Sequence, residues 1–329
     1  MDDFDPRRRT LMRAAAAAAA ALTGAAHAQS DWPNRPIRLI VPFGPGSATD
    51  TLARTIAEPL ARILKQPVVV DSRPGANTTL GTNLAAKAAP DGYTFLLATN
   101  SGLVASPGGL TANVPYDTQK DLDYVTRVGT ISYVLLVNNA LEAKTLRELV
   151  DLIRANPGKY SYASGNTGGI AYMGSVRSAL GLDLVHVPYK STPPALVDLI
   201  SGQVQMMVTD VTTGTPQVRA GKVRAIAVPT EKRDPLLPEV PTFAESGFAT
   251  PPDVSGWWML TAPAGVPADV MNRMNAEVVA ILNQPEVRAS LLKNGIVPAP
   301  STRAEAVRFQ REQLQVWTRM IRDLGLKGD

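Results

Sequence analysis

The chain has 329 residues, a length suited to about two domains with cores of their own. Hydrophobic residues make up 45% and charged residues 19%, the balance of a folded globular protein, so disorder is excluded as the main theme. There is no cysteine, and the chain has two histidines, one of them His27 near the start; disulfides, thiol nucleophiles, cysteine-bound metals and any mechanism needing paired histidines in a mature protein are excluded.

Arg7, Arg8 and Arg9 precede an apolar run over 14–26, too short to span a bilayer, and Ala26-His27-Ala28 gives small residues at both positions read by signal peptidase. A cleavable signal over 1–28 and a periplasmic destination are expected. Arg8-Arg9-Thr10-Leu11-Met12-Arg13 fits the twin-arginine form, and an arginine-rich Sec signal accounts for the same residues, so the export route stays open. Of 33 basic and 29 acidic residues, the segment removes four arginines and three aspartates and leaves a net charge of +3. No basic stripe and no second apolar stretch of about 18 residues follows, which argues against nucleic acid and membrane surfaces as partners. A periplasm holds little ATP or NADH, and no cofactor is expected.

Taken in chain order, the mature part alternates. A branched apolar strand at 37–43 leads to a helix at 51–64, a strand at 68–70, a helix at 80–89 and a strand at 94–98. Residues 107–123 read as loop and lead to a strand pair at 124–128 and 131–137, where the chain is expected to cross into a second domain. Helices at 146–155, 170–180, 194–201 and 215–220 then alternate with strands at 160–163, 183–187, 204–208 and 223–228. An aperiodic proline-rich stretch over 229–252 precedes an aromatic strand at 256–261 and helices at 269–282, 286–294 and 303–324. The pattern predicts an α/β protein of two lobes, each a doubly wound, mostly parallel sheet: 30–128 with 252–329, and 129–251, with a ligand cleft between them.

Two strand-to-helix loops carry the chemistry. Gly44-Pro45-Gly46-Ser47-Ala48-Thr49-Asp50 and Ser164-Gly165-Asn166-Thr167-Gly168-Gly169 lie in opposite lobes, and both place free backbone N–H groups and the positive end of a helix dipole at the cleft. Hydroxyl and amide side chains there suit a carboxylate, although the Ser47/Asp50 spacing also fits a plain capping box. Asn100 and Asp210 end strands that should border the same cleft. The first loop misses the third small residue of the dinucleotide fingerprint, and no lysine follows it as a Walker site requires. His186, alone at the end of an apolar strand, reads as structural, so no metal site or catalytic residue is expected. Trp257 and Trp258 alternate between core and cleft, with the core favoured for either.

The mature chain resembles the solute-binding receptors of the tripartite tricarboxylate transporter systems, the Bug or TctC-like family. The stretches that carry the resemblance run Pro36-Ile37-Arg38-Leu39-Ile40-Val41-Pro42-Phe43-Gly44-Pro45-Gly46, then Gln66-Pro67-Val68-Val69-Val70-Asp71-Ser72-Arg73-Pro74-Gly75-Ala76. Ala89-Pro90-Asp91-Gly92-Tyr93-Thr94, Val187-Pro188-Tyr189-Lys190, Gly202-Gln203-Val204 and Glu239-Val240-Pro241-Thr242 follow in order. The resemblance implies a type II periplasmic binding protein, a monomer of the Venus-flytrap kind. It would close on a small organic acid, a dicarboxylate or an aromatic carboxylate, and hand it to the transporter's membrane subunits. It also implies that one carboxylate is gripped, partly through ordered water, by the loops 44–50 and 164–168. With the strand ends, the expected ligand-binding residues are Gly44, Gly46, Ser47, Thr49, Asp50, Asn100, Ser164, Asn166, Thr167, Gly168 and Asp210. Ser47 where a glycine is common, Asn77-Thr78-Thr79 after Ala76, and Val208-Thr209 before Asp210 depart from the family pattern and leave the particular acid unassigned. A periplasmic enzyme or redox protein on a related fold is the alternative, and the residue inventory favours the receptor.

Overall fold

Two mixed sheets organise the chain. The computed structural model describes residues 32–251 and 254–326; the expected signal at 1–28 and the expected boundary at 252 lie outside the described residues. The first sheet has strand order β11-β4-β10-β3-β1-β2, built from β1 (Ile37–Val41), β2 (Val68–Ser72), β3 (Thr94–Thr99), β4 (Leu122–Ile131), β10 (Gly256–Pro263) and β11 (Ile296–Pro298). The second has order β7-β6-β8-β5-β9, built from β5 (Tyr133–Asn138), β6 (Ser161–Ser164), β7 (Val185–Pro188), β8 (Met206–Asp210) and β9 (Val223–Ala227). The parallel pairing expected from the alternation holds in the β2-β1-β3 and β7-β6-β8 cores. It gives way to antiparallel pairing wherever β4, β5, β9, β10 or β11 joins.

The helices are α1 (Ala48–Leu64), α2 (Thr79–Ala86), α3 (Leu146–Ala155), α4 (Thr167–Leu180), α5 (Thr192–Ser201), α6 (Val211–Arg219), α7 (Ala268–Asn283), α8 (Pro285–Lys293) and α9 (Arg303–Leu324). Three of them begin three or four residues earlier than apolar periodicity suggests, because polar caps start them directly at the strand ends. Ser47 Oγ accepts from Asp50 N, Asn166 Oδ1 from Gly169 N and Asp210 Oδ1 from Thr213 N. Each cap satisfies one backbone donor that the first turn leaves without an internal partner.

Two sequence expectations need correction. Part of the expected loop over 107–123 is helical: residues Ser101–Leu110 form a mostly buried π-helical segment, broken by a kink at Gly109, whose φ is +112°. Pro107, Gly108 and Gly109 mask it in the sequence, and tertiary contacts hold it. Tyr116 donates to Gly102 O at 2.8 Å, and Gln310 Nε2 on α9 donates to Leu103 O at 3.1 Å. The expected strand pair is no pair. β4 and β5 are separated by Ser132 alone and belong to different sheets, β4 bonding β10 and β11, β5 bonding β8 and β9. No two-residue turn of the kind a hairpin needs separates them. The three-residue strand β11 carries too short a signal to be read in advance.

Candidate functional site

The ends of both sheets meet around a cavity of about 30 Å³. From the first sheet come Phe43, Ser47, Ala48 and Thr49 after β1, Thr99, Asn100 and Ser101 after β3, Ile131 at the end of β4, and Gly256, Trp257 and Trp258 at the start of β10. From the second come Tyr133 at the start of β5, Asn166 before α4, Thr192 at the start of α5 and Asp210 at the end of β8. Four α-helices and the π-helix therefore begin at this cavity. Their first N–H groups and dipoles bring partial positive charge to it. Among the described residues neither lysine nor arginine lines it, and Asp210 is its one charged side chain.

Of the residues expected to bind ligand, Ser47, Thr49, Asn100, Asn166 and Asp210 line the cavity. Ser47 and Asn166 are helix caps, so each side chain already holds one backbone donor. Thr49 Oγ1 accepts from Trp258 Nε1 at 2.9 Å, which ties the start of α1 to β10. Asn100 Nδ2, Trp257 Nε1 and Thr99 Oγ1 are buried without a hydrogen-bond partner. A buried donor normally finds an acceptor, so this group marks where one is wanted.

The other expected residues are not part of the lining. Asp50 is turned back to close its own helix: its Oδ2 accepts from Gly46 N at 3.0 Å, and both carboxylate oxygens accept from Arg54 Nε at 3.1 Å. The reciprocal half of the capping box thus falls on Gly46 rather than on the cap residue. Ser164 Oγ lies 2.6 Å from His186 Nε2, and the imidazole stacks on Tyr162 with ring centroids 4.7 Å apart. This is the structural role expected for His186, and it occupies the Ser164 hydroxyl. Thr167 is 1% exposed, with its hydroxyl buried and unpartnered. Gly168 supports the site by absence of a side chain, since a Cβ there would collide with the Tyr133 ring. Gly44 faces the start of α5, where a Cβ would stand 3.0 Å from Ser191 Oγ.

Sequence reasoning missed Phe43, Ile131, Tyr133, Thr192 and Gly256. For Thr192 a signal existed: Ser191-Thr192-Pro193-Pro194 has a cap residue followed by prolines in the first turn, the mark of a helix start. Tyr133 carried none, because its place depends on the crossing from β4 to β5. Both tryptophans are buried, at 4% and 3% exposure, and both also reach the cavity.

Burial pushes the Asp210 carboxyl above its ordinary range, against the hydrogen bonds from Thr213 that favour the charged form. Burial likewise raises the Tyr133 hydroxyl, with Asp210 and Tyr172 adding to it. Among the described residues no group of three or more acidic or histidine side chains is placed to hold a metal, and no helix is long and apolar enough to cross a membrane.

Comparison with known proteins agrees with this architecture. The protein called BugT of Bordetella pertussis (strain Tohama I) is 34% identical over 308 residues, covering 92% of this chain and 94% of that one. The structure of R. palustris Rpa4515 with adipate superposes with a TM-score of 0.85 at 29% identity, covering 89% of this chain and 98% of the other. MatC (Rpa3494) from Rhodopseudomonas palustris with bound malate gives a TM-score of 0.82 at 29% identity, covering 88% and 100%. Residues 52–326 match the model of the tripartite tricarboxylate transporter family receptor, TctC. With two α/β sheets whose strand ends and helix starts enclose one cavity, and with this match along nearly the whole described chain, the protein belongs to the TctC family of tripartite tricarboxylate transporter receptors.

Proposed function

We propose that the protein is a periplasmic receptor that captures a small organic acid, a dicarboxylate or an aromatic carboxylate, between lobes formed by 30–128 with 252–329 and by 129–251. It then delivers the acid to the membrane subunits of a tripartite tricarboxylate transporter. The observation that carries the reading is the cavity itself, with five helix starts and the unpartnered donors of Asn100 and Trp257 converging where no basic side chain stands. Such a site favours negative charge through dipoles and N–H groups. The two dicarboxylates held by neighbours, adipate and malate, support the ligand class. Ser47, Thr49, Asn100 and Asn166 hold the acid directly, with the amides of the 44–50 and 164–168 loops, while Asp50, Ser164 and Gly168 keep those loops in shape. A cavity of about 30 Å³ has room for one water molecule. The lobes must therefore part to admit the acid and close less tightly once it is bound.

Titration with a panel of aliphatic and aromatic acids, followed by the fluorescence of Trp257 and Trp258, tests the reading. Saturable binding without any product is expected. Equal binding of an acid and its amide analogue would overturn it, since the dipoles and donors reward charge. Sequencing the exported protein should find Gln29 at its start; retention of residues 1–13 would overturn cleavage after Ala28.

A further inference from the structure

We propose that Asp210, ionised in the unliganded protein, takes a proton from solvent as the ligand enters and donates it in a hydrogen bond to a ligand carboxylate oxygen, so that capture of each acid molecule takes up one proton. The inference rests on the carboxylate reading above and deepens it.

Among the described residues Asp210 is the one charged side chain of a cavity otherwise built for an anion. Its two oxygens are unequally used. Oδ1 caps α6, accepting from Thr213 N at 2.9 Å and from Thr213 Oγ1 at 2.7 Å. Oδ2 takes the Asn166 amide at 3.5 Å, the outer limit of a hydrogen bond. Asn166 itself lines the cavity, so the oxygen left to carry a proton lies on the ligand's side. The groups facing Asp210 from neighbouring elements are Tyr133 on β5 and Asn166 before α4, with Thr192 at the start of α5 bonded to the same Asn166 amide. None of them carries a positive charge to neutralise an aspartate.

An anion entering this space meets either a like charge at close range or a proton. Two carboxylates within hydrogen-bonding reach share one proton, because neither can lose its charge to solvent. Burial already moves Asp210 in that direction. The balance is simple: ionised Asp210, one proton from solvent and the ligand carboxylate give a complex in which the proton sits between two oxygens, with no covalent bond broken. The donors at Asn100 and Trp257 serve the ligand's remaining lone pairs.

The test is calorimetric titration of the mature protein with adipate and with malate between pH 7 and 8.5, where both are fully ionised, in two buffers of different ionisation heat. Uptake of close to one proton per ligand is expected, with affinity falling by up to about tenfold per pH unit. In Asp210→Asn the amide oxygen still caps α6 and the amide nitrogen supplies a donor, so binding should persist, flat with pH and without proton uptake. Binding by the unaltered protein with no proton uptake overturns the inference and leaves the carboxylate reading standing, as does selective binding of aspartate over malate. Proton uptake that survives in Asp210→Asn also overturns it. Failure of every acid to bind at any pH overturns the reading beneath it and this inference together. Should Asp210→Asn fail to fold, the proton count on the unaltered protein still decides.

Discussion

Gly165 offers a test in which sterics can be separated from backbone strain. It lies between Ser164 and the Asn166 cap, and a Cβ added there would stand 2.5 Å from both Cα and N of Thr192 and 2.6 Å from the Ser191 carbonyl carbon. Ordinary contact begins near 3.4 Å, so Gly165→Ala requires the α5 start and the β6–α4 loop to separate by roughly 1 Å. The obstacle is backbone, with no flexible side chain to yield. Overpacking of this kind costs about 1 to 3 kcal/mol. The same displacement stretches the Asn166 Nδ2 to Thr192 Oγ1 hydrogen bond, now 3.2 Å, beyond useful length. Urea unfolding should therefore show a lower midpoint with an unchanged slope, and titration with malate should show weaker binding. Gly181→Ala is the control: no atom lies within 4 Å of its Cβ, but its φ is +60°, so that variant pays only left-handed strain of about 1 kcal/mol and leaves binding alone. If Gly165→Ala were as stable as the parent and bound malate equally well, the close approach of the two loops would be refuted.

Three further outcomes are expected. Ser47→Ala and Asn166→Ala should each cost about 1 kcal/mol of stability as lost helix caps. Each should also weaken acid binding by about tenfold; lowered melting temperature with unchanged affinity would confine both side chains to capping. Trp258→Phe removes the bond to Thr49 and should cost about 0.5 to 1.5 kcal/mol in thermal unfolding, and no loss would mean the bond contributes nothing net. Burial opposes ionisation of Asp71, but hydrogen bonds from Arg38 and Arg73 outweigh it and hold the carboxyl below its usual range. A lowered folded-state value adds stability above the unfolded carboxylate range, about pH 4, and loses it as the pH falls through the folded value. Asp71→Asn should thus cost about 1 kcal/mol at pH 7 and nothing near pH 2; a difference that persists in acid would refute the assignment.

The alternation of strand and helix was legible because most elements carry their own apolar period and several helices their own cap. Helix α3, with Thr145 accepting from Glu148 N, could be bounded to the residue. What stayed hidden depends on partners distant in sequence. The π-helix at 101–110 needs Gln310 from α9, and Tyr133 enters the cavity only because the chain crosses between sheets at Ser132. At the site, the loops were readable from glycines and small polar residues. The direction of each side chain was not. Asp50 turns to Gly46 and Arg54, and Ser164 to His186, while Asp210 shares itself between a cap and the cavity, and nothing in the residue types distinguishes these cases.

The position of β10 bears on how the protein acquires its shape. In the first sheet it lies between β3 and β4, although more than a hundred residues separate it from either in sequence. The second sheet is drawn entirely from the contiguous stretch 133–227. During synthesis the second sheet can assemble as soon as that stretch has emerged, whereas β3 and β4 wait with an open seam between them until residues 256–263 arrive. Contacts so far apart in sequence are slow to form, and a seam flanked by unpaired strand edges is where a nascent chain is most open to wrong pairing. Mutations in β10 should accordingly slow folding in refolding kinetics.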